Sequence, residues 1–144
     1  MTDKAFVDTN ILVYAHDILS GIKHERARSL VDILWSTERG VLSTQVLQEL
    51  CVYLRRKSVK RLPVGEIQSL VADFKNWQIV VNTPDSVIEA LNIEARYQIS
   101  FWDALIIQAA ETAGATILYS EDLSDGQLYG SVRVVNPLSE IASL

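Results

Sequence analysis

Asp8, Glu49, Asp103 and Asp122 are four acids spread along the chain, each at or near a junction where an apolar run enters a new element. Asp8 ends the buried-looking strand Ala5-Phe6-Val7 and precedes a helical pattern. In open α/β sheets ligands bind in the crevice outside the carboxyl ends of the strands, so an acid there faces the place where chemistry happens. Asp122 follows the apolar stretch Ala115 to Tyr119 in the same way. Each acid also has a plainer explanation. Asp8 can cap the helix after it. Asp103, three residues after Ser100, resembles a capping box with Asp where Glu or Gln is usual. Glu49 has Val46, Val52 and Tyr53 one helical turn away, and it can sit at the border of that apolar stripe with its carboxylate in water. Asp122 lies in Ser120-Glu-Asp-Leu-Ser-Asp-Gly126, a turn composition that needs no function. The four together are harder to explain one by one if the fold gathers them at one sheet edge.

The elements that must do so read in order as strand and helix in alternation. Strands are expected at Ala5 to Val7, Gly40 to Ser43, Gln78 to Val81, Ala115 to Tyr119 and Val132 to Val135. Helical spacing begins at Ile11 to Ala15 and recurs over Lys23 to Trp35, Gln45 to Arg55, Val64 to Trp77 and Asp85 to Tyr97. Ser43 or Thr44 is placed to cap the third of these, and Thr83-Pro84 opens the last. The strongest pattern is Ser100 to Gly114, ending at a glycine suited to a helix C-terminus. Repeated βα units imply an α/β fold with a mainly parallel central sheet flanked by helices. On that plan Asp8 and Asp122 end strands on the same edge, Asp103 opens the helix leading into the second of them, and Glu49 lies early on a helix that follows a strand.

The 144 residues suit a single domain spanning 1–144. A hydrophobic fraction of 49% with 22% charged residues is that of a globular chain and excludes a disordered one. Cys51 is the sole cysteine and has no internal disulfide partner, and no basic segment leads into an apolar run at the start; both point to a soluble, cytoplasmic protein with no membrane association. His16 and His24 lack a second His or Cys one turn away, which favours solvated or capping roles over metal binding. A formal charge of -5 argues against holding nucleic acid by bulk charge. The basic run Arg55-Arg-Lys-Ser-Val-Lys-Arg61 is the local exception. It complements the dipole at the end of a helix, and Arg55, Arg56 and Lys57 become phosphate-binding candidates once nucleic acid is implied elsewhere.

Phe6-Val-Asp-Thr-Asn-Ile-Leu12, Gln48-Glu-Leu50, Trp102-Asp-Ala-Leu-Ile106 and Ser120-Glu-Asp122 with Asn136-Pro137 follow the order and spacing of the PIN-domain ribonucleases, and the chain most resembles the VapC-type toxins of toxin-antitoxin pairs. The resemblance spans nearly the whole chain and implies a PIN-like fold. It makes Asp8, Glu49, Asp103 and Asp122 the active site around Mg²⁺ or Mn²⁺, with Asp8, Asp103 and Asp122 as metal ligands. Thr9 and Asn10 match polar residues that orient the acids or meet the substrate, while the match of Asp125 is open. The implied activity is hydrolysis of single-stranded or looped RNA, with a cognate antitoxin protein as partner and a homodimer as the assembly, its faces expected at the apolar helical surfaces around Leu50-Cys-Val-Tyr-Leu54 and Val64 to Phe74. Mg²⁺ suits these residue types because it prefers oxygen ligands and keeps several waters. Phosphotransfer folds fit the residues less well. A haloacid dehalogenase wants a second Asp two residues after the first, where Asn10 stands, and a receiver domain wants an acidic pair before its phosphoacceptor. A non-catalytic PIN-like module that holds RNA or protein remains the alternative. No Walker loop, dinucleotide glycine pattern or zinc motif is present.

Overall fold

The computed structural model describes residues 3–57 and 61–139. Six strands, β1 (Ala5–Val7), β2 (Gly40–Ser43), β3 (Gln78–Val80), β4 (Ile117–Tyr119), β5 (Leu128–Tyr129) and β6 (Val132–Val135), form one sheet in the order β3-β2-β1-β4-β6-β5. All neighbours are parallel except β5, which returns antiparallel on β6. The α/β class with a mainly parallel sheet is therefore the observed architecture. Six α-helices connect or flank the strands: α1 (Thr9–His16), α2 (Ile22–Thr37), α3 (Thr44–Val52), α4 (Val64–Phe74), α5 (Pro84–Tyr97) and α6 (Phe101–Thr112).

The middle of the sheet is dry on both sides. Side chains alternate faces along a strand, and Ala5, Phe6 and Val7 are all fully buried, so both faces of β1 are covered. α6 contributes seven consecutive buried residues, Ala104 to Ala110, as expected of a helix enclosed by the core rather than laid on its surface. The starts of α3, α6 and α5 are fixed by short polar side chains. Ser43 accepts the backbone N–H of Val46, Ser100 accepts that of Asp103, and Thr83 and Ser86 form a reciprocal capping box before α5.

The strand order reverses direction at β1. From it the chain runs through β2 to β3 on one side, while β4 and β6 lie on the other. The carboxyl ends of β1 and β4, paired Val7 with Tyr119, flank this switch point, which is where crevices open in doubly wound sheets.

Several boundaries differ from the sequence expectation. The third helix ends at Val52 and passes into a π-turn over Tyr53–Lys57 rather than continuing as α-helix to Arg55. α4 stops at Phe74; Trp77 lies beyond its end, buried among Trp35 and Phe74 with ring centroids 5.4 and 5.1 Å away. β3 stops before Val81, which is 64% exposed, and β4 starts only at Ile117. The two-residue strand Leu128–Tyr129 is absent from the sequence reading because two residues are too few to show alternation.

Candidate active site

A cleft of about 770 Å³ opens at the switch point, and Asp8, Glu49, Asp103 and Asp122 all line it, together with Thr9 and Asn10. Four acids separated by up to 114 positions in the sequence are thus brought to one place. Each arrives on a different element: Asp8 at the end of β1, Glu49 on α3, Asp103 in the first turn of α6, Asp122 in the turn after β4.

Asp8 is the buried member, only 5% exposed. Its Oδ1 accepts the Thr9 backbone N–H at 2.7 Å and its Oδ2 accepts the Ser120 hydroxyl at 2.8 Å. It does cap α1, but the cap uses one oxygen and leaves the carboxyl in the cleft. Burial pushes its pKa up to about 7, against the two hydrogen bonds and with help from the negative charges of Asp122 and Glu49. Asp103 is half-buried, and its carboxyl is raised by burial and by Asp122, while Ser100 pulls the other way. Glu49 and Asp122 are exposed. Thr9 Oγ1 donates to Glu49 Oε1 at 2.6 Å, and the Asp122 backbone N–H donates to Ser120 Oγ at 3.1 Å.

Ser120, fully buried, therefore ties Asp8 to the segment carrying Asp122, a role the sequence reading did not assign to it. The same segment has a second tether. Asn10 Oδ1 accepts the Glu121 N–H at 3.2 Å, and the Glu121 carboxylate receives Tyr14 Oη at 2.9 Å and Lys23 Nζ at 2.7 Å. Burial alone would raise the Glu121 carboxyl, but the hydrogen bonds of Lys23 and Tyr14 and the lysine charge hold it below its usual value. Thr9 and Asn10 thus spend their side-chain oxygens on Glu49 and on the Glu121 backbone, which is positioning of the acids. The Asn10 Nδ2 group is buried without a partner. The spacing of Ser120, two residues before Asp122, was the available signal for its role; Tyr14 and Lys23 reach Glu121 only through tertiary structure.

Asp125 is elsewhere. It accepts the Asn136 N–H at 2.9 Å and is not among the residues lining the cleft. Arg55 and Arg56 are exposed on the π-turn, next to the cleft residue Tyr53. The side chain of Lys57, and Lys60, lie outside the described residues. His16 and His24 each place Nδ1 2.8 Å from a backbone carbonyl, of Leu12 and Tyr14 respectively.

Among the described residues no three His, Cys, Asp or Glu side chains lie close enough to form a ready-made metal cage. The donor set nonetheless fits a hard cation that retains its waters: it is all carboxylate oxygen, and its buried member resists ionisation without a positive charge nearby.

A parallel α/β sheet with a carboxylate-lined cleft at its topological switch defines the class of protein. Residues 5–124 match the PIN domain model, and the chain belongs to that family. No curated protein sequence matches it. Among solved structures it is similar to a toxin-antitoxin complex from Klebsiella pneumoniae, at 19% identity and TM-score 0.68 over 93% of this chain and 98% of that one. It is also similar to the Sarcin-Ricin loop cleaving toxin VapC20 of Mycobacterium tuberculosis, at 21% identity and TM-score 0.63 over 83% and 90%. A third similar structure is DNA-bound VapBC from Salmonella typhimurium, at 19% identity and TM-score 0.61 over 92% and 97%. Among the described residues no helix is long and apolar enough to cross a membrane.

Proposed function

We propose that this chain is a Mg²⁺- or Mn²⁺-dependent endoribonuclease, the toxin of a toxin-antitoxin pair acting in the cytoplasm. The observation that carries the reading is the meeting of Asp8, Glu49, Asp103 and Asp122 in one cleft of a PIN domain. The likeness to a toxin-antitoxin complex and to an RNA-cleaving toxin supports the biological role, with an antitoxin protein as partner.

Asp8, Asp103 and Asp122 would hold the cation, which when bound lowers the pKa of a coordinated water and neutralises charge on the phosphate. Ser120 and the Thr9 N–H fix both oxygens of Asp8, so the carboxylate does not have to be ordered when substrate arrives. Thr9 occupies Oε1 of Glu49, which leaves Oε2 to accept a proton from an attacking water. Attack forms a new P–O bond as the bond to the leaving oxygen breaks, and that oxygen takes a proton from solvent, which completes hydrolysis of the RNA strand.

The direct experiment is incubation of purified protein with cellular RNA in Mg²⁺, in Mn²⁺ and in EDTA, beside Asp8→Asn and Asp103→Asn. Cleavage by the wild type alone, abolished by EDTA, supports the reading. RNA that is bound but never cut with either metal would return the protein to the alternative, a non-catalytic module that holds RNA or protein.

A further inference from the structure

We propose that Trp102 is a stacking platform for one unpaired RNA base beside the acidic centre. The inference rests on the ribonuclease reading and adds to it the residue that grips the substrate's base.

Trp102 immediately precedes Asp103, lines the same cleft and is 62% exposed. The other two tryptophans, Trp35 and Trp77, pack with Phe74 in a cluster that Trp102 does not join. Exposed to this degree the indole buries little for the fold, and with Tyr14 and Tyr53 it forms part of a largely apolar cleft wall of the kind that takes a ligand. The ring is nevertheless set on firm ground. Phe101 meets it edge-on at 5.3 Å, and the buried side chain of Gln45 donates from Nε2 to the Trp102 carbonyl at 3.3 Å, bracing α3 against the first turn of α6. Gln45 Oε1, on the other side of that amide, is buried and has no partner among the described residues.

The chemistry of the wall selects the partner. Exposed apolar residues elsewhere are aliphatic, such as Ile18, Leu19, Ile88 and Leu91, whereas the aromatic rings Tyr14, Tyr53 and Trp102 gather in the cleft. Flat π faces beside carboxylates suit a base that is neutral and flat, attached to a phosphate that the acidic centre acts on. A duplex keeps its base faces stacked and offers none to an indole, so the occupant is single-stranded.

The test uses a short fluorescein-labelled oligoribonucleotide, as a single strand and annealed to its complement, kept uncut by EDTA during the binding measurement. Binding is measured by anisotropy for the wild type, Trp102→Phe, Trp102→Leu and Trp102→Ala, and cleavage of the corresponding RNA is measured in parallel with Mg²⁺. Trp102→Ala and Trp102→Leu are expected to weaken single-strand binding by about tenfold or more, with Trp102→Phe retaining most of the affinity. The single strand should also quench the fluorescence of the wild type more than that of Trp102→Phe, and the cleavage defect should fall in KM rather than kcat. A merely structural role, felt through Asp103, would instead lower kcat. Wild-type cleavage with unchanged binding by Trp102→Ala, or equal affinities for Trp102→Leu and Trp102→Phe, overturns the stacking role and leaves Trp102 as an anchor for a protein partner. Strand binding that needs Trp102 without any cleavage overturns the ribonuclease reading and keeps the platform. A wild type that neither binds nor cuts overturns both.

Discussion

At the scale of single residues, Asp8 carries the tension of the site. Its folded pKa of about 7 lies above the ordinary 3.8, so the folded protein binds a proton in a range where the unfolded chain has released it. Stability supplied by this group is therefore complete near the unfolded pKa, declines as pH rises towards 7, and is absent above it. The cost of ionising Asp8 in the metal-free fold at pH 8 is on the order of 4 kcal/mol. The raised carboxyl of Asp103 acts in the same direction. Urea unfolding in EDTA at pH 5 and pH 8 should show Asp8→Asn gaining on the wild type at the higher pH; identical differences at both would remove the buried charge from the account. The same variant bears on the metal. An ion bound only by the folded state raises the melting temperature with the logarithm of its concentration. Asp8→Asn and Asp103→Asn are each expected to lose cleavage and most of the Mg²⁺-induced rise, while remaining no less stable than wild type in EDTA. A variant of Asp103 that costs up to about 1 kcal/mol equally with and without metal is acting through the helix start alone.

At the scale of elements, the segment after β4 is held by bonds from several other parts of the chain. Tyr14 on α1 and Lys23 on α2 clasp Glu121, Asn10 holds its backbone, and Ser120 links it to Asp8. Lys23 is 44% exposed, so its ion pair adds little to stability and its effect should be positional. Glu121→Gln is expected to lower kcat several-fold with a smaller change in KM and less than about 1 kcal/mol in stability; full activity would show that Asp122 needs no such clasp. A second element-scale contact is Gly40 at the start of β2, where an added Cβ would overlap the Trp77 ring. Gly40→Ala should destabilise by about 1–3 kcal/mol in chemical unfolding, through displacement of that ring. These two features mark the limit of what the sequence discloses. The strands at Ala5–Val7 and Gly40–Ser43 were legible because a covered parallel strand is a short apolar run between turn residues, and Val132–Val135 because exposed Arg133 alternates with buried valines. The acids were legible because strand ends and helix starts have local signatures. The clasp on Glu121, the orphaned amides of Asn10 and Gln45, and the packing of Trp77 on Gly40 join residues distant in sequence, and no periodicity encodes such contacts.

At the scale of the whole molecule, charge and apolar surface set how the protein meets its partners. For a chain of net charge -5 the proposed RNA binding would need a local basic patch, and Arg55 and Arg56 stand exposed beside the cleft residue Tyr53. Replacing both with Gln should weaken RNA binding and flatten its dependence on salt, since each lost phosphate contact releases fewer counterions. Unchanged affinity at every salt concentration would assign the two arginines to solvent. The faces on which a homodimer was expected offer little free apolar surface. Leu50, Leu54, Ile67 and Phe74, on the expected dimer face, point into the protomer's own core, leaving Val52 and Val64 as its exposed apolar residues. A longer apolar stripe is Val87, Ile88 and Leu91 on α5, where spacings of three and four residues place all three on one side of the helix. A homodimer is therefore expected to cover this stripe with a self-complementary contact in which α5 meets α5 across a two-fold axis. Light scattering at micromolar concentration should then give twice the 16.1 kDa chain mass, and Ile88→Lys with Leu91→Lys should return the single mass without lowering the melting temperature of the protomer. A wild type that scatters as a monomer refutes the dimer outright, and a double variant that stays dimeric moves the interface off α5.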